Sequence, residues 1–371
     1  GVEEKKYNVV MLLMESWMAE YIGALKNNPG VTPEFDKLSK EGIFFTNFYA
    51  NGNRSNRGVV STLCSFPSQY GNSVMQKMIA SKEKFITIPS ILKERGYSTS
   101  FIYGGDVEFD NMKGFLSYNG VDRFIDERDF SAEERKIKWG VPDDLLFKKA
   151  IEVLDKSKQP FFANIFTLSN HPPFDIEKKY EKYSEKEYKN YKQLNAFRFS
   201  DMVLGEFIRE ISKREYAKNT LFVFVADHGH DLGKDIELDS NSFHIPLLFY
   251  SPGGMLKPEV VTKVGSQVDL MPTLMHFLGG KYKNSSWGKD LMSENENNTA
   301  YLLNNEFAAV VKGDKYVVKS LETEAKIVDI KTGAVLKGKE YENEKKELEK
   351  AAKLQLELSV KQIDEGSYGE K

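Results

Sequence analysis

Leu221-Phe222-Val223-Phe224-Val225-Ala226 runs without interruption into Asp227-His228-Gly229-His230. A short, continuous run of apolar β-branched and aromatic residues reads as a strand buried on both faces, as in a parallel sheet. The polar residues that follow mark its carboxyl end. In open parallel sheets, ligands bind just outside those ends. This one stretch therefore predicts both a fold and the edge on which its site lies.

Working outward, the same texture recurs. Asn8 to Met14, Thr99 to Tyr103, Phe161 to Thr167 and Ile245 to Tyr250 are predicted strands, with helical stretches at Pro142 to Lys156 and Leu194 to Ser212. Buried strands alternating with amphipathic helices imply an α/β fold, a mostly parallel central sheet flanked by helices. After about Gly280 the pattern changes. Asn284-Ser285-Ser286 and Ser293 to Asn298 read as loop. Thr299 to Leu303, Phe307 to Val311, Lys315 to Lys319 and Lys326 to Ile330 then read as short antiparallel strands with Gly-Asp and Thr-Gly turns. A charged helix, Glu340 to Val360, and a frayed tail, Gly366 to Lys371, follow. The expected division is a catalytic core at 1–280 and, at 281–371, a small antiparallel β subdomain plus helix packed on it.

Composition narrows the function classes. The chain has 371 residues, 40% hydrophobic and 29% charged, with a net charge of -3. No basic excess points to nucleic acid. The lysines of Glu177 to Lys192 are interleaved with glutamates and read as a solvated helical face. The one cysteine, Cys64, lies in the apolar run Val59-Val60-Ser61-Thr62-Leu63 and reads as a buried structural thiol. No apolar stretch is long enough to span a bilayer, and the first residues lack a signal-peptide pattern. The abrupt entry into the first strand reads as an excised domain.

Chemistry-bearing residues gather at strand ends. Glu15 closes the first strand, Asp227 and His228 follow the fourth, and His171 lies in Ser169-Asn170-His171-Pro172-Pro173, just past another. His244 opens His244-Ile245-Pro246-Leu247 and reads either as a site residue or as a hydrogen-bonded core histidine. Carboxylates with imidazole form a ligand set suited to zinc or manganese. His276, inside the helical Asp269 to Leu278, reads as structural. A hydroxyl comes from the polar loop Asn51-Gly52-Asn53-Arg54-Ser55-Asn56-Arg57-Gly58, which enters a helical run. Ser55 is there either an ordinary helix cap or a nucleophile at a helix N-terminus flanked by arginines.

Thr32 to Leu38, Glu41 to Tyr49, Asp227-His228-Gly229, His244 to Leu247 and Gln267 to Leu274 resemble, in order, the motifs of the sulfatase and alkaline phosphatase superfamily. Met14-Glu15-Ser16, Leu168 to Phe174 and Trp139-Gly140-Val141 resemble its lipoteichoic acid synthase and phosphoglycerol transferase branch. The resemblance implies a metal held by Glu15, Asp227, His228 and Ser55, with Ser55 as nucleophile. It implies one divalent ion, manganese or zinc with magnesium as a further candidate, and leaves room for a second. His171 and His244 would line the phosphate pocket, and one or the other would protonate the leaving group. Read from the residues themselves, Arg57 would offset phosphate charge, and Asp106, Asp110 and Asn111 are polar side chains that would hydrogen-bond glycerol hydroxyls, the acids equally able to pair with an ammonium group. The implied reaction is transfer of a phospholipid head group, through a covalent serine intermediate, to a glycerol or glycan acceptor. It would run on a monomeric domain outside the cytoplasmic membrane, tethered by transmembrane segments that precede it.

The sequence departs from that branch at two points and from the formylglycine sulfatases at one. Serine stands where threonine is usual, which keeps the hydroxyl. Ser55 is not followed by the x-Pro-x-Arg of formylglycine sulfatases, which argues against sulfate esters. Gly104 to Met112 lacks the tryptophan and arginine expected around glycerol phosphate. Phosphoethanolamine transfer, hydrolysis on the same fold and a non-catalytic glycolipid-binding protein are the competing readings.

Overall fold

A computed structural model describes residues 3–26, 30–77, 84–232, 237–294, 298–320 and 322–368. Positions 295–297 of the expected loop, positions 369–371 of the expected tail, and residues 1 and 2 at the chain's start lie outside the described residues.

Among the described residues the main sheet has nine strands: β1 Asn8–Met14, β2 Ile43–Tyr49, β3 Ser98–Tyr103, β4 Arg123–Ile125, β5 Phe161–Phe166, β6 Thr220–Ala226, β7 His244–Tyr250, β8 Glu259–Val261 and β9 Gly265–Ser266. Their order is β4-β3-β5-β1-β6-β7-β2-β8, with β9 pairing β2. β1 is parallel to both β5 and β6, β3 to β4 and β5, and β2 to β8 and β9. Only β7 runs the other way, antiparallel to β6 and β2. Every residue of β1, β5, β6 and β7 is buried, which is why these strands are almost wholly apolar and legible as such, with Asn8, Asn164, Thr220 and His244 the polar exceptions. β2 was not anticipated as a strand: Thr46-Asn47 interrupts its apolar run at a register shift between Phe45 and Phe48. β4, β8 and β9 are too short to show a period.

Among the described residues, nine α-helices connect or cover the strands: α1 Gly23–Lys26, α2 Pro33–Leu38, α3 Ser55–Cys64, α4 Ile88–Glu94, α5 Met112–Tyr118, α6 Asp143–Asp155, α7 Tyr191–Ile211, α8 Leu270–Leu278 and α9 Glu342–Glu365. α7 supplies Asp201, whose carboxylate accepts the N–H groups of Glu34 and Phe35 at 2.9 and 2.8 Å. That caps α2, a helix with no side-chain cap of its own. The lysine-rich segment ahead of α7 is solvated, as expected, but not helical. It holds one short turn, Lys178–Tyr180, and irregular backbone up to Tyr191.

A second, four-stranded antiparallel sheet follows: β10 Thr299–Leu303, β11 Ala308–Lys312, β12 Lys315–Lys319 and β13 Lys326–Asp329. Its turn at Gly313-Asp314 places Gly313 at φ 59, the left-handed region open to glycine. α9 packs on β11 and β12. Asn51 ties this sheet to the core. Its backbone carbonyl accepts the N–H of Leu303 at 3.0 Å, and its side-chain amide donates to the Tyr301 carbonyl at 2.7 Å. The expected frayed tail is corrected as far as Tyr368: that ring is buried and stacks on Phe85 at 4.1 Å.

Candidate active site

Parallel pairing sets the centre of the site. Met14 on β1 is opposite Ala226 on β6. The next residue on each chain is an acid, so Glu15 and Asp227 emerge side by side at the carboxyl edge. Both are essentially fully buried. Glu15 is held by its backbone N–H, which donates to Thr167 Oγ1 at 2.9 Å, and Ser16 Oγ donates to Glu15 Oε1 at 2.7 Å. Asp227 Oδ1 accepts the N–H groups of Ser16 and His228 at 2.8 and 2.7 Å. Gln267 braces the strand end by donating to the carbonyls of Ala226 and Asp227.

His228 completes the cluster. Its Nδ1 lies 2.7 Å from the Gly229 carbonyl, which fixes the proton there and leaves Nε2 as a lone-pair donor. Nε2 stands 3.4 Å from Asp227 Oδ2 and 3.8 Å from Glu15 Oε1. One ligand atom each from Glu15, Asp227 and His228 lie within 4.8 Å of one another.

Ser55 opens α3, and Arg54 is the cap residue. Its Oγ is 3.3 Å from Glu15 Oε2 and 3.3 Å from His228 Nε2. α3 reaches this position because residue 58 is glycine: a Cβ there would lie 2.1 Å from the Asp227 carbonyl oxygen. The helix backbone therefore rests directly on the strand end.

These residues fit a divalent cation. Asp227 Oδ2 is buried and accepts no hydrogen bond from the described residues. Among the described residues no lysine or arginine pairs with either carboxylate. Burial and the adjacent Asp227 charge push the Glu15 carboxyl well above the usual range. Two buried acids with an imidazole lone pair and no protein cation form an oxygen and nitrogen donor set of the kind zinc or manganese takes.

Ser55 faces a cavity of about 410 Å³ lined also by Glu15, Arg54, Arg57, His171, His228 and His230. Arg57 is buried, and its guanidinium donates to Asn53 Oδ1, the Gly71 carbonyl and Asn305 Oδ1, all uncharged acceptors. Burial and the charge of Arg54 lower its pKa, yet a guanidinium stays protonated, so the cavity keeps positive charge unmatched by a paired acid. His171 stands at the mouth with its ring 5.1 Å from Trp139, and Trp139 Nε1–H donates to the Pro172 carbonyl.

Glu15, Ser55, Arg57, His171, Asp227 and His228 are thus brought together. Three expected residues are not. His244 lies at the correct edge, because β7 is reversed, but its ring turns into another cavity, between β2 and the β11–β12 turn. The irregularity in β2 leaves the Thr46 carbonyl outside the ladder, and His244 Nε2 binds it at 2.7 Å while the ring stacks on Tyr49. Burial lowers its pKa to about 4, so it is a neutral structural donor. Asp106 is exposed and its carboxylate accepts the Glu108 N–H. Asn111 uses its amide on the Met75 carbonyl. Cys64 is buried, as expected, and burial raises its pKa.

Asp110, read from sequence only as one polar residue of Gly104 to Met112, does line the cavity. Asp110 accepts from Asn56 Nδ2 and Gln76 Nε2 at 2.8 and 2.7 Å from a left-handed backbone, φ 54. Nothing local in the sequence announces that conformation. His230 was visible in the motif but given no role. Its Nε2 is buried without a partner, and burial with the neighbouring His228 lowers its pKa to about 4.

Comparison with known proteins agrees with this architecture. The Sulfatase family model matches residues 7–280. Lipoteichoic acid synthase 1 of Bacillus subtilis is 28% identical over 96% of this chain and 57% of its own. The lipoteichoic acid synthase of Staphylococcus saprophyticus is 29% identical over 93% and 56%. The chain spans about half the length of the curated relatives it matches. Among solved structures, a Vibrio parahaemolyticus protein of the alkaline phosphatase superfamily has a TM-score of 0.88 and 31% identity, covering 100% of this chain and 90% of that one. The lipoteichoic acid synthase LtaP of Listeria monocytogenes has a TM-score of 0.80 at 22% identity, covering 97% and 93%, and shares the fold. No helix among the described residues is long and apolar enough to cross a membrane. The chain belongs to the sulfatase family of enzymes, within the alkaline phosphatase superfamily.

Proposed function

We propose that this domain is a phosphotransferase that moves the phosphoglycerol head group of a phospholipid, through a covalent ester on Ser55, to an acceptor hydroxyl outside the cytoplasmic membrane. The observation that carries the reading is the Ser55 hydroxyl held 3.3 Å from both Glu15 and His228, in a cavity with two arginines. Glu15, Asp227 and His228 would hold a divalent cation, whose Lewis acidity would favour the ionised Ser55 hydroxyl and offset phosphate charge.

The chain's own residues do the rest. Ser55 loses its hydroxyl proton to solvent as its Oγ bonds to phosphorus, the bond from phosphorus to the diacylglycerol oxygen breaks with its electron pair staying on that oxygen, and that oxygen takes up a proton. His171, at the mouth of the cavity, would give it. Arg54, Arg57 and the first N–H groups of α3 hold the phosphate oxygens, where preorganised charge opposes the build-up in the transition state. Substrate positioning and electrostatics account for most catalysis in such transfers.

Resemblance to lipoteichoic acid synthases by name supports the phosphoglycerol head group. The residues after Ser55, Asn56-Arg57-Gly58, lack a formylglycine pattern and support a phosphodiester in place of a sulfate ester. The test is release of diacylglycerol from phosphatidylglycerol, with phosphatidylethanolamine and an aryl sulfate alongside, for wild type and Ser55→Ala. Efficient aryl sulfate hydrolysis contradicts the phosphodiester assignment, and release from phosphatidylethanolamine alone contradicts the head group.

A further inference from the structure

Asp143 is a fully buried acid that the chemistry above does not use. It is the first residue of α6, yet its carboxylate is not directed to that helix, whose cap residue is Pro142. Oδ1 accepts the N–H groups of Leu168 and Ser169 at 2.7 and 3.1 Å, and Oδ2 accepts the Ser200 hydroxyl of α7 at 3.2 Å. The Asp143 N–H in turn donates to Ser169 Oγ at 2.8 Å. Burial raises its pKa to about 6 against these donors, which leaves a carboxylate at neutral pH. Charge-assisted bonds of this kind are about twice as strong as neutral ones, so the backbone they hold is firmly fixed.

What Asp143 anchors is the turn that carries His171. The His171 N–H donates to the Leu168 carbonyl at 3.0 Å, so His171 closes on the residue whose own N–H Asp143 holds. Trp139, shortly before Asp143, grips the far end of the turn. Its Nε1–H donates to the Pro172 carbonyl at 2.8 Å, and its ring meets the His171 ring edge-on. His171 Nδ1 lies 2.8 Å from that same carbonyl, which fixes a proton on Nδ1 and leaves Nε2 to exchange one with substrate. The acids have supports of their own, Ser16 for Glu15 and Gln267 for the strand end at Asp227.

Resting on the phosphotransferase reading with His171 as its proton donor, we propose that Asp143 is a positioning residue: with Trp139 it holds the 168–172 turn so that His171 Nε2 meets the leaving oxygen. Asp143 touches no reacting atom. Its influence is therefore confined to leaving groups that need a proton. Diacylglycerol needs one, because an alkoxide leaves poorly. 4-Nitrophenol does not. With an aryl phosphodiester, Ser55 loses its proton to solvent as Oγ bonds to phosphorus, and the bond from phosphorus to the aryl oxygen breaks. The electron pair stays on that oxygen, and 4-nitrophenolate departs unprotonated.

The experiment measures turnover of phosphatidylglycerol micelles and of bis(4-nitrophenyl) phosphate, with manganese present, for wild type and variants. Asp143→Ala is expected to slow lipid turnover about 100-fold, the scale of a misplaced general acid, and aryl ester turnover by less than about threefold. Asp143→Asn keeps an oxygen for the two N–H groups and should recover most of the loss. Asp143→Ala combined with His171→Ala should be no slower on lipid than His171→Ala alone, as for residues that act as a unit. The manganese-induced rise in melting temperature should match wild type in Asp143→Ala, because the acids keep their own supports. Trp139→Phe, at an exposed position, leaves the carboxylate anchor intact and should show the same selectivity at smaller size. It supplies the comparison if Asp143→Ala does not fold. Equal losses on the two substrates overturn the assignment, as do additive losses in the double variant. Full lipid turnover by His171→Ala removes the proton donor and this role with it, while leaving the Ser55 chemistry standing. A wild type that cleaves the aryl ester but not the lipid removes the phosphotransferase reading, and the positioning role falls with it.

Discussion

Gly58 on α3 and the carbonyl of Asp227 are in direct contact, with no room between them for a side chain. The relationship couples the nucleophile's helix to the strand end that carries the acids. Gly58→Ala must push α3 away from Asp227 and so draw Ser55 from Glu15 and His228. Overpacking of this kind costs about 1–3 kcal/mol. The expected outcome is a lower melting temperature together with a fall in turnover larger than the unfolded fraction explains. Wild-type turnover in Gly58→Ala would show that this contact does not set the nucleophile.

The acid cluster predicts an inverted response to removal of charge. Without a cation, Glu15 and Asp227 are buried like charges facing each other. In the presence of a chelator, Glu15→Gln should therefore melt above wild type. With manganese or zinc the order should reverse. Binding at about 100 times the dissociation constant contributes about 2.7 kcal/mol to wild type, and Asp227→Asn should lose that gain. Thermal melts with and without each ion check both halves.

His244 should behave as a structural residue. His244→Ala leaves the Thr46 carbonyl without its partner, and a buried unsatisfied group costs about 1–3 kcal/mol. Stability should fall while the Michaelis constant for lipid and the metal-induced rise in melting temperature stay close to wild type. A selective loss of substrate affinity would return His244 to the site.

Asp201 predicts a pH dependence. Burial raises its pKa to about 7 in the fold, above an unfolded value of about 3.9. The fold thus favours the protonated form. Its contribution is complete below about pH 4 and is lost as pH rises through about 7. Asp201→Asn does not titrate. The stability difference between the two proteins should shift in the variant's favour across that window, as read from urea melts at several pH values. A constant difference would contradict the assignment.

The buried strands were legible because burial on both faces leaves a run such as Leu221 to Val225 with no polar residue. Glu15, Asp227 and His228 were legible because parallel register places strand-end residues side by side. His244 was misplaced for the same reason: the edge was right, but the break in β2 that turns the Thr46 carbonyl towards it leaves no signature in the apolar pattern. Asp106, Asp110 and Asn111 were read together as the polar residues of one segment, of which only Asp110 turns into the cavity, with Phe109. That choice depends on two consecutive left-handed residues, Asp110 and Asn111, that composition does not encode.

The central claim is that Ser55 carries the head group between donor and acceptor. Wild type and Ser55→Ala are incubated with phosphatidylglycerol and a divalent ion, quenched in acid and digested, and the peptide containing residue 55 is weighed. The account predicts a glycerophosphoryl group on Ser55 of the wild type, its disappearance on adding acceptor, and no adduct or turnover in Ser55→Ala. Turnover by Ser55→Ala, or an adduct on Ser61 or Thr62 in place of Ser55, would contradict it.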